Sequence, residues 1–172
     1  FQDTREILPV PNVTVAKMGL TGDGRYDFSY PNEAGRIRTF INTGFAASGQ
    51  RALTLDANRA YSAGNTSYLT GTFNLAGYNI NTDDLRLIFS YKNHGQKAND
   101  NNKVWIRGKD TDAWVEAYDL FANQNLTTQG YKTTAPLEIS ALLSNNAENF
   151  SSSFQVRWGQ WGKMITSDYS NG

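Results

Sequence analysis

Apolar and polar residues alternate along several short runs of this chain. Between positions 85 and 92 one face is apolar and the other is polar, and only Ile88 interrupts the pattern. The run that begins at Phe154 follows the same period of two. A period of two, with one buried and one solvated face, is typical of antiparallel strands in a sandwich.

Runs of this kind predict ten strands, at residues 12–17, 25–29, 36–42, 50–56, 67–75, 85–93, 102–108, 113–119, 136–140 and 152–162. Clusters of Gly, Asn, Asp and Pro separate the runs and indicate turns. Short helical turns are predicted at Leu120–Asn123 and Ile139–Asn145, and neither is long enough to cover a sheet. We therefore expect an all-β fold, an antiparallel two-sheet jelly-roll β-sandwich with at most short helical turns, spanning residues 1–172 as a single domain.

Composition narrows the function classes. Sixteen basic residues offset sixteen acidic ones, so no net field attracts nucleic acid and no nucleic-acid partner is expected. No apolar run approaches the ~20 residues that a membrane-spanning helix needs, and we expect no membrane insertion. Cysteine is absent, which excludes disulfides and thiolate metal sites. The first residues lack the basic and apolar regions of a signal peptide, which predicts a mature protein or an internal piece of a longer one.

Several sequence segments resemble those of a known group of modules. They are Gly49-Gln-Arg-Ala-Leu-Thr-Leu-Asp56, Tyr68-Leu-Thr-Gly-Thr-Phe-Asn-Leu75, Leu85-Arg-Leu-Ile-Phe-Ser-Tyr-Lys-Asn-His-Gly95, Asn102-Lys-Val-Trp-Ile-Arg-Gly108, Asp112-Ala-Trp114 and Phe154-Gln-Val-Arg-Trp-Gly159. In this order they resemble jelly-roll modules of the MAM and reelin-repeat type. The resemblance is closer to modules appended to large secreted and cell-surface proteins of Bacteroidota-type bacteria, and it covers roughly residues 36–172. It implies a jelly roll that acts in adhesion or binding.

The chain departs from that family pattern at two points. The cysteines of extracellular animal MAM domains are missing, which favours a bacterial module. Modules of this type also finish with a further strand, whereas this sequence stops at Ser170-Asn-Gly172. The resemblance therefore implies either a last strand supplied by a partner, or a fragment whose exposed edge is open to strand addition.

A calcium site is one candidate. Asp23 and Asp27 flank a glycine-bearing turn, and Ca²⁺ takes several oxygens from a tightly bent backbone. The full EF-hand pattern is absent, and a plain Gly-Asp-Gly turn that enters a strand is the alternative. Jelly-roll modules of the resembled type often hold a structural Ca²⁺ between an early loop and the chain's end, which implies Asp3 and Asp168 as additional ligands.

Aromatic and polar residues on two successive predicted strands suggest a carbohydrate site. Trp105 and Arg107 share the face opposite Val104 and Ile106, and alternation places Trp114, Glu116 and Tyr118 together on the next strand. An exposed Trp stacks on the apolar face of a sugar while Arg and Glu orient its hydroxyls. The alternative is packing inside the sandwich. Gly159-Gln-Trp-Gly162 breaks the alternation, which predicts Trp161 at a bulge or loop, more exposed than the other tryptophans.

Catalysis is not expected. His94 is the only histidine, and no nucleophile elbow accompanies it. Glu116 and Asp119 stand three residues apart, hence on opposite faces of a strand, while Glu138 and Glu148 stand alone, so no carboxylate pair of the glycosidase kind is predicted.

The sequence therefore predicts a non-catalytic module of a secreted or surface protein, whose partners are a glycan, a cell-surface protein or adjoining modules. An assembly unit that pairs through an open edge is the alternative. A polysaccharide-degrading enzyme comes third.

Overall fold

The computed structural model describes residues 3–7, 26–29, 35–41, 46–49, 51–57, 65–92, 101–124, 130–165 and 168–170. The predicted strand at 12–17 and His94 lie outside these ranges. The elements found within them are β1 Asp3–Ile7, β2 Tyr26–Ser29, β3 Gly35–Ile41, β4 Arg51–Ala57, β5 Asn65–Phe73, β6 Arg86–Leu87, β7 Ser90–Tyr91, β8 Lys103–Arg107, β9 Val115–Asp119, β10 Lys132–Thr133, β11 Leu137–Glu138, α1 Ile139–Asn145, β12 Phe154–Ile165 and β13 Asp168–Ser170.

The described strands pair antiparallel. The largest sheet has six strands in the order β2-β5-β12-β8-β9, with β13 pairing to the end of β12. A second sheet has the order β1-β3-β4, and two short ladders join β7 to β10 and β6 to β11. The prediction of antiparallel β structure with only short helical segments is confirmed.

β12 is the central strand of the largest sheet. It pairs with β5 from Phe154 to Gly162 and with β8 from Gln155 to Trp158. Sequence reasoning ended this strand at residue 162, whereas it continues to Ile165 and returns as β13, which was not predicted. β1 and β10 were also missed.

One face of the six-stranded sheet carries the hydrophobic core. Its apolar residues alternate with polar ones along β8 and β12, as the sequence pattern predicted. The segment 85–91 and the helix α1 cover this face. The buried core residues that come from both layers are Val104, Ile106, Leu120, Ile139, Leu143, Phe154 and Val156.

The run 85–93, predicted as a single strand, forms two short strands instead. Backbone amides next to these strands donate to side chains. The Leu85 amide, before β6, donates to Ser140 Oγ at 2.8 Å, and the Phe89 amide, between β6 and β7, donates to Thr134 Oγ1 at 3.3 Å. The alternation itself is confirmed. Leu87 and Phe89 pack against the core, whereas Ile88 is 56% exposed.

α1 coincides with the helical turn predicted at Ile139–Asn145. Ile139 and Leu143 stand four residues apart, so both fall on the face that the core buries. The helix ends where the Asn146 amide donates to the Leu143 carbonyl at 2.9 Å and Ala147 adopts a φ of 58°. Among the described residues, no helix has both the length and the apolar character to cross a membrane.

Candidate functional site

The face of the six-stranded sheet opposite the core is hereafter the outer face. Residues paired across antiparallel strands point to the same side, so the register defines its members. On β12 they are Gln155, Arg157, Gly159 and Trp161; on β5 they are Thr72, Thr70, Tyr68 and Thr66; and on β8 they are Arg107 and Trp105. Chain segments more than 80 residues apart thus contribute to one surface.

Three aromatic rings and two arginines form a cluster on this face. The Cζ atoms of Arg157 and Arg107 lie 3.9 and 4.3 Å from the centroid of the Trp114 ring. Arg157 Cζ also lies 5.1 Å from the Tyr68 ring, which meets Trp105 edge-on at 6.0 Å. Guanidinium groups at these distances are attracted to the ring faces. We call this group of five residues the arginine–tryptophan cluster.

Neutral groups hold the two guanidiniums in place. Arg107 Nε donates to Gln155 Oε1 at 2.7 Å, and its Nη1 donates to the Asp112 carbonyl at 3.3 Å. Arg157 Nε donates to Thr70 Oγ1 at 3.3 Å. The five residues are half-buried, so part of each side chain reaches the solvent. The cluster therefore presents oriented N–H donors beside aromatic surface.

Burial disfavours the charged state of both arginines. It lowers the pKa of Arg157, and the positive charge of Arg107 lowers it further. Burial also lowers the pKa of Arg107, whereas the negative charges of Asp110, Asp112 and Glu148 raise it. An arginine pKa starts so high that both side chains stay protonated at neutral pH. The cluster therefore concentrates positive charge where solvation is poor.

Trp105 packs directly over Gly159. A Cβ atom at position 159 would lie 2.6 Å from the Trp105 ring and 2.5 Å from the Asn101 carbonyl oxygen. Tyr68 Oη fixes the same region by donating to Asn101 Oδ1 at 3.0 Å. Position 159 thus requires glycine because the ring and a neighbouring backbone occupy the space of a side chain.

We expect Gly159→Ala to lower the free energy of unfolding by ~1–3 kcal/mol, the usual cost of inserting a methyl group into a filled site. Urea unfolding followed by tryptophan fluorescence measures this. Gly77→Ala is the matched control, since a Cβ there meets nothing within 4 Å. Equal stability of the two variants would contradict the tight packing of Trp105 on Gly159.

The expectation of Trp161 at a bulge or loop is wrong. β12 runs through Gly159-Gln-Trp-Gly162 without interruption, and Trp161 pairs with Thr66 in register. It is half-buried on the outer face. Beyond Trp158 the pairing with β8 ends, and the Trp161 amide instead donates to Asn102 Oδ1 at 2.6 Å. The side chain of Asn102 thus replaces a backbone partner at this point of β12.

The expectation that Trp114, Glu116 and Tyr118 share a face is wrong for Tyr118. Trp105 pairs with Glu116 but Val104 pairs with Tyr118, so Ala117 is an extra residue in β9. This bulge leaves Glu116 on the outer face, where its carboxylate lies 2.8 Å from Lys103 Nζ. Tyr118 instead turns to the core, where its hydroxyl lies 2.9 Å from that of Tyr91.

Four of the five residues predicted for sugar binding thus lie near one another. Trp105, Arg107 and Trp114 belong to the arginine–tryptophan cluster, and Glu116 neighbours Trp105 across the β8–β9 pair. Trp161 lies further along β12 on the same face. Sequence reasoning missed Arg157 and Tyr68 as members. Alternation along β12 gave the face of Arg157, but only the strand register brings Arg157 to Trp114, and Tyr68 to Arg157 and Trp105.

The predicted calcium ligands fall on separate elements. Asp23 lies outside the described residues; Asp3 belongs to β1, Asp27 to β2 and Asp168 to β13. Thr70 pairs with Asp27 and with Arg157, whereas Asp168 pairs with Ile165, eight residues further along β12. At ~3.3 Å per residue these rows lie ~26 Å apart along the strand.

Calcium at Asp23 and Asp27 stays a prediction. Within the described ranges no three histidine, aspartate or glutamate side chains come together as a metal site. Chelation by EDTA is expected to lower the melting temperature, since a bound ion stabilises the folded state, and Asp27→Asn to remove that effect. A melting temperature that EDTA leaves unchanged would count against the ion.

Comparisons of this chain with protein-family models, with curated proteins and with solved structures found no match.

Proposed function

We propose that this chain is a non-catalytic jelly-roll module of a secreted or cell-surface protein, and that it binds carbohydrate through its outer face. One observation carries the proposal. The arginine–tryptophan cluster gathers three aromatic rings and two guanidiniums from strands distant in sequence onto one half-buried surface.

Such a surface suits a polyhydroxylated ligand. Sugar rings present C–H groups that pack against aromatic side chains, and their hydroxyls accept hydrogen bonds from guanidinium N–H groups. Trp114 holds both arginines close to its ring, so the donors are oriented before a ligand arrives. Preorganised donors reduce the entropy cost of binding.

The surroundings of the carboxylates support binding over hydrolysis. Glu116 lies 2.8 Å from Lys103 Nζ, and Glu138 lies 3.1 Å from Arg86 Nε. Glu148 accepts a hydrogen bond of 2.7 Å from the Gly108 amide. A glycosidase needs two carboxyl groups that face each other across one cleft, whereas each of these is engaged with a cation or a backbone amide.

The β9 edge of the six-stranded sheet supports glycan binding over assembly by strand pairing at that edge. β9 pairs with β8 on one side, and its sequence contains the bulge at Ala117 and the charged residues Glu116 and Asp119. Bulges and charges are features that native sheets use to prevent edge-to-edge association. We therefore place adjoining modules second among the partners.

Replacing Trp114 with alanine is expected to weaken glycan binding by about tenfold or more, because it removes the ring that both guanidiniums contact. A glycan array identifies ligands of the unmodified protein, and isothermal titration then compares the variants. Tyr78→Ala is the control: Tyr78 is 49% exposed and lies in the turn after β5. Wild-type affinity in Trp114→Ala, or no glycan bound by the unmodified protein, would contradict the proposal.

A further inference from the structure

The arginine–tryptophan cluster holds two positive charges close together. Both Cζ atoms lie within 4.3 Å of one ring centroid, so the two charges are within ~8 Å of each other, about the Debye length at physiological ionic strength. Salt therefore screens their repulsion incompletely. The lowered pKa of Arg157 has the charge of Arg107 as one of its causes, after burial.

Among the side chains that the structure describes, no carboxylate forms an ion pair within 4.0 Å of either guanidinium of the cluster. In the part of the chain where side chains are described, the ion pairs within 4.0 Å are those of Arg86, Lys103 and Lys109. Arg107 and Arg157 donate instead to an amide oxygen, a backbone carbonyl and a threonine hydroxyl. Glu116, the acidic residue beside Trp105, is held by Lys103.

Half-buried arginines with neutral partners favour an anionic ligand. Folding has already removed part of the water around the two guanidiniums. An incoming oxyanion therefore gains attraction without the full cost of desolvating the cations. The planar guanidinium matches two oxygens of a carboxylate or sulfate, and Arg157 retains terminal N–H groups beyond the Nε–Thr70 bond.

We propose that the glycan bound at the outer face is acidic, and that its carboxylate or sulfate pairs with Arg157 and Arg107 while the sugar ring lies against the neighbouring aromatic side chains. This inference rests on the proposed carbohydrate-binding function and names the ligand class for the same surface. Carboxylate and sulfate share the required chemistry, and the experiment separates them.

Isothermal titration with two matched ligand pairs tests the inference on the unmodified protein. Oligogalacturonate is compared with its carboxyl-reduced form, and sulfated dextran oligosaccharide with unsulfated dextran oligosaccharide. We expect the acidic member of one pair to bind at least about tenfold more tightly, as expected for a charge-assisted contact, and its affinity to fall with added salt. The pair that shows the difference identifies the anion.

Variants then assign the effect to the cluster. Arg157→Gln is expected to abolish the preference for the acidic member, and Arg157→Lys to keep part of it because the charge remains without the planar fork. Arg86→Gln is the matched control, since Arg86 is exposed and paired with Asp84 and Glu138. Asp27→Asn is measured too, because Asp27 shares the row of Thr70 and Arg157; it should leave the preference intact.

Three outcomes would overturn the acidic-glycan inference. Equal affinity for both members of each pair, with loss of binding in Trp114→Ala, would overturn it and leave the carbohydrate-binding proposal standing. A preference for the acidic member that survives Arg157→Gln would place recognition of the anion outside the arginine–tryptophan cluster. Absence of binding to any glycan, acidic or neutral, would overturn both proposals.

Discussion

Ile106→Ala is expected to lower the free energy of unfolding by ~2–5 kcal/mol, the range for deleting a buried branched side chain. Ile106 is fully buried in β8, between Val156 of β12 and Val115 of β9. Its removal leaves a cavity at the centre of the core that joins the sheet to the covering layer. Equilibrium urea unfolding, followed by circular dichroism, measures the change.

The chain offers a control of the same residue type. Ile88→Ala deletes the same atoms from a side chain that is 56% exposed, and it should change stability by no more than ~0.5 kcal/mol. If Ile106→Ala does not fold, Ile106→Val should still cost ~0.5–1.5 kcal/mol. Similar losses at positions 106 and 88 would contradict the assignment of the core to this face of the sheet.

Asn102→Ala is the second substitution with a large expected effect, a loss of ~1–3 kcal/mol. Asn102 is fully buried, and its Oδ1 atom accepts the hydrogen bond of the Trp161 amide at 2.6 Å. Alanine leaves that amide without its partner at the point where β8 stops pairing with β12. The Asn102 carbonyl also accepts a hydrogen bond from Leu120 at 3.0 Å, which alanine preserves.

Hydrogen exchange separates this local cause from general destabilisation. Under native conditions the Trp161 amide should be protected in the unmodified protein and exchange faster in Asn102→Ala, beyond the change that global stability explains. Asn145→Ala, at the exposed end of α1, should leave both stability and exchange nearly unchanged. Unaltered protection of Trp161 in Asn102→Ala would refute the proposed bond.

Most of the predicted strands that fall among the described residues are present, and so is the alternation within β8 and β12, because both depend on local pattern. The alternation of Trp105 and Arg107 with Val104 and Ile106 is present in β8, and α1 spans the predicted residues. Burial of one strand face is a property of a short window of sequence. It can therefore be inferred without knowledge of the strands that lie alongside.

The composition of the candidate site could not be predicted in the same way. Arg157 reaches Trp114 only because β12 pairs with β8 in one particular register. The bulge at Ala117 decides that Tyr118 faces inward, and nothing in Val-Glu-Ala-Tyr-Asp marks an extra residue. Trp161 was predicted at a bulge or loop because the neighbouring glycines suggested a break in the strand. The contact that stabilises the strand there comes from Asn102, 59 residues away.

The position of β12 in the sheet has a consequence for biosynthesis. It pairs with both β5 and β8, and Gln155 bonds to Thr72 across 83 residues of sequence. During synthesis β5 and β8 leave the ribosome before β12. The edge of each strand that pairs with β12 therefore stays unpaired until β12 has been made. Such long-range closure slows folding, and the waiting edges are where chaperones or unwanted aggregation would act on the nascent chain.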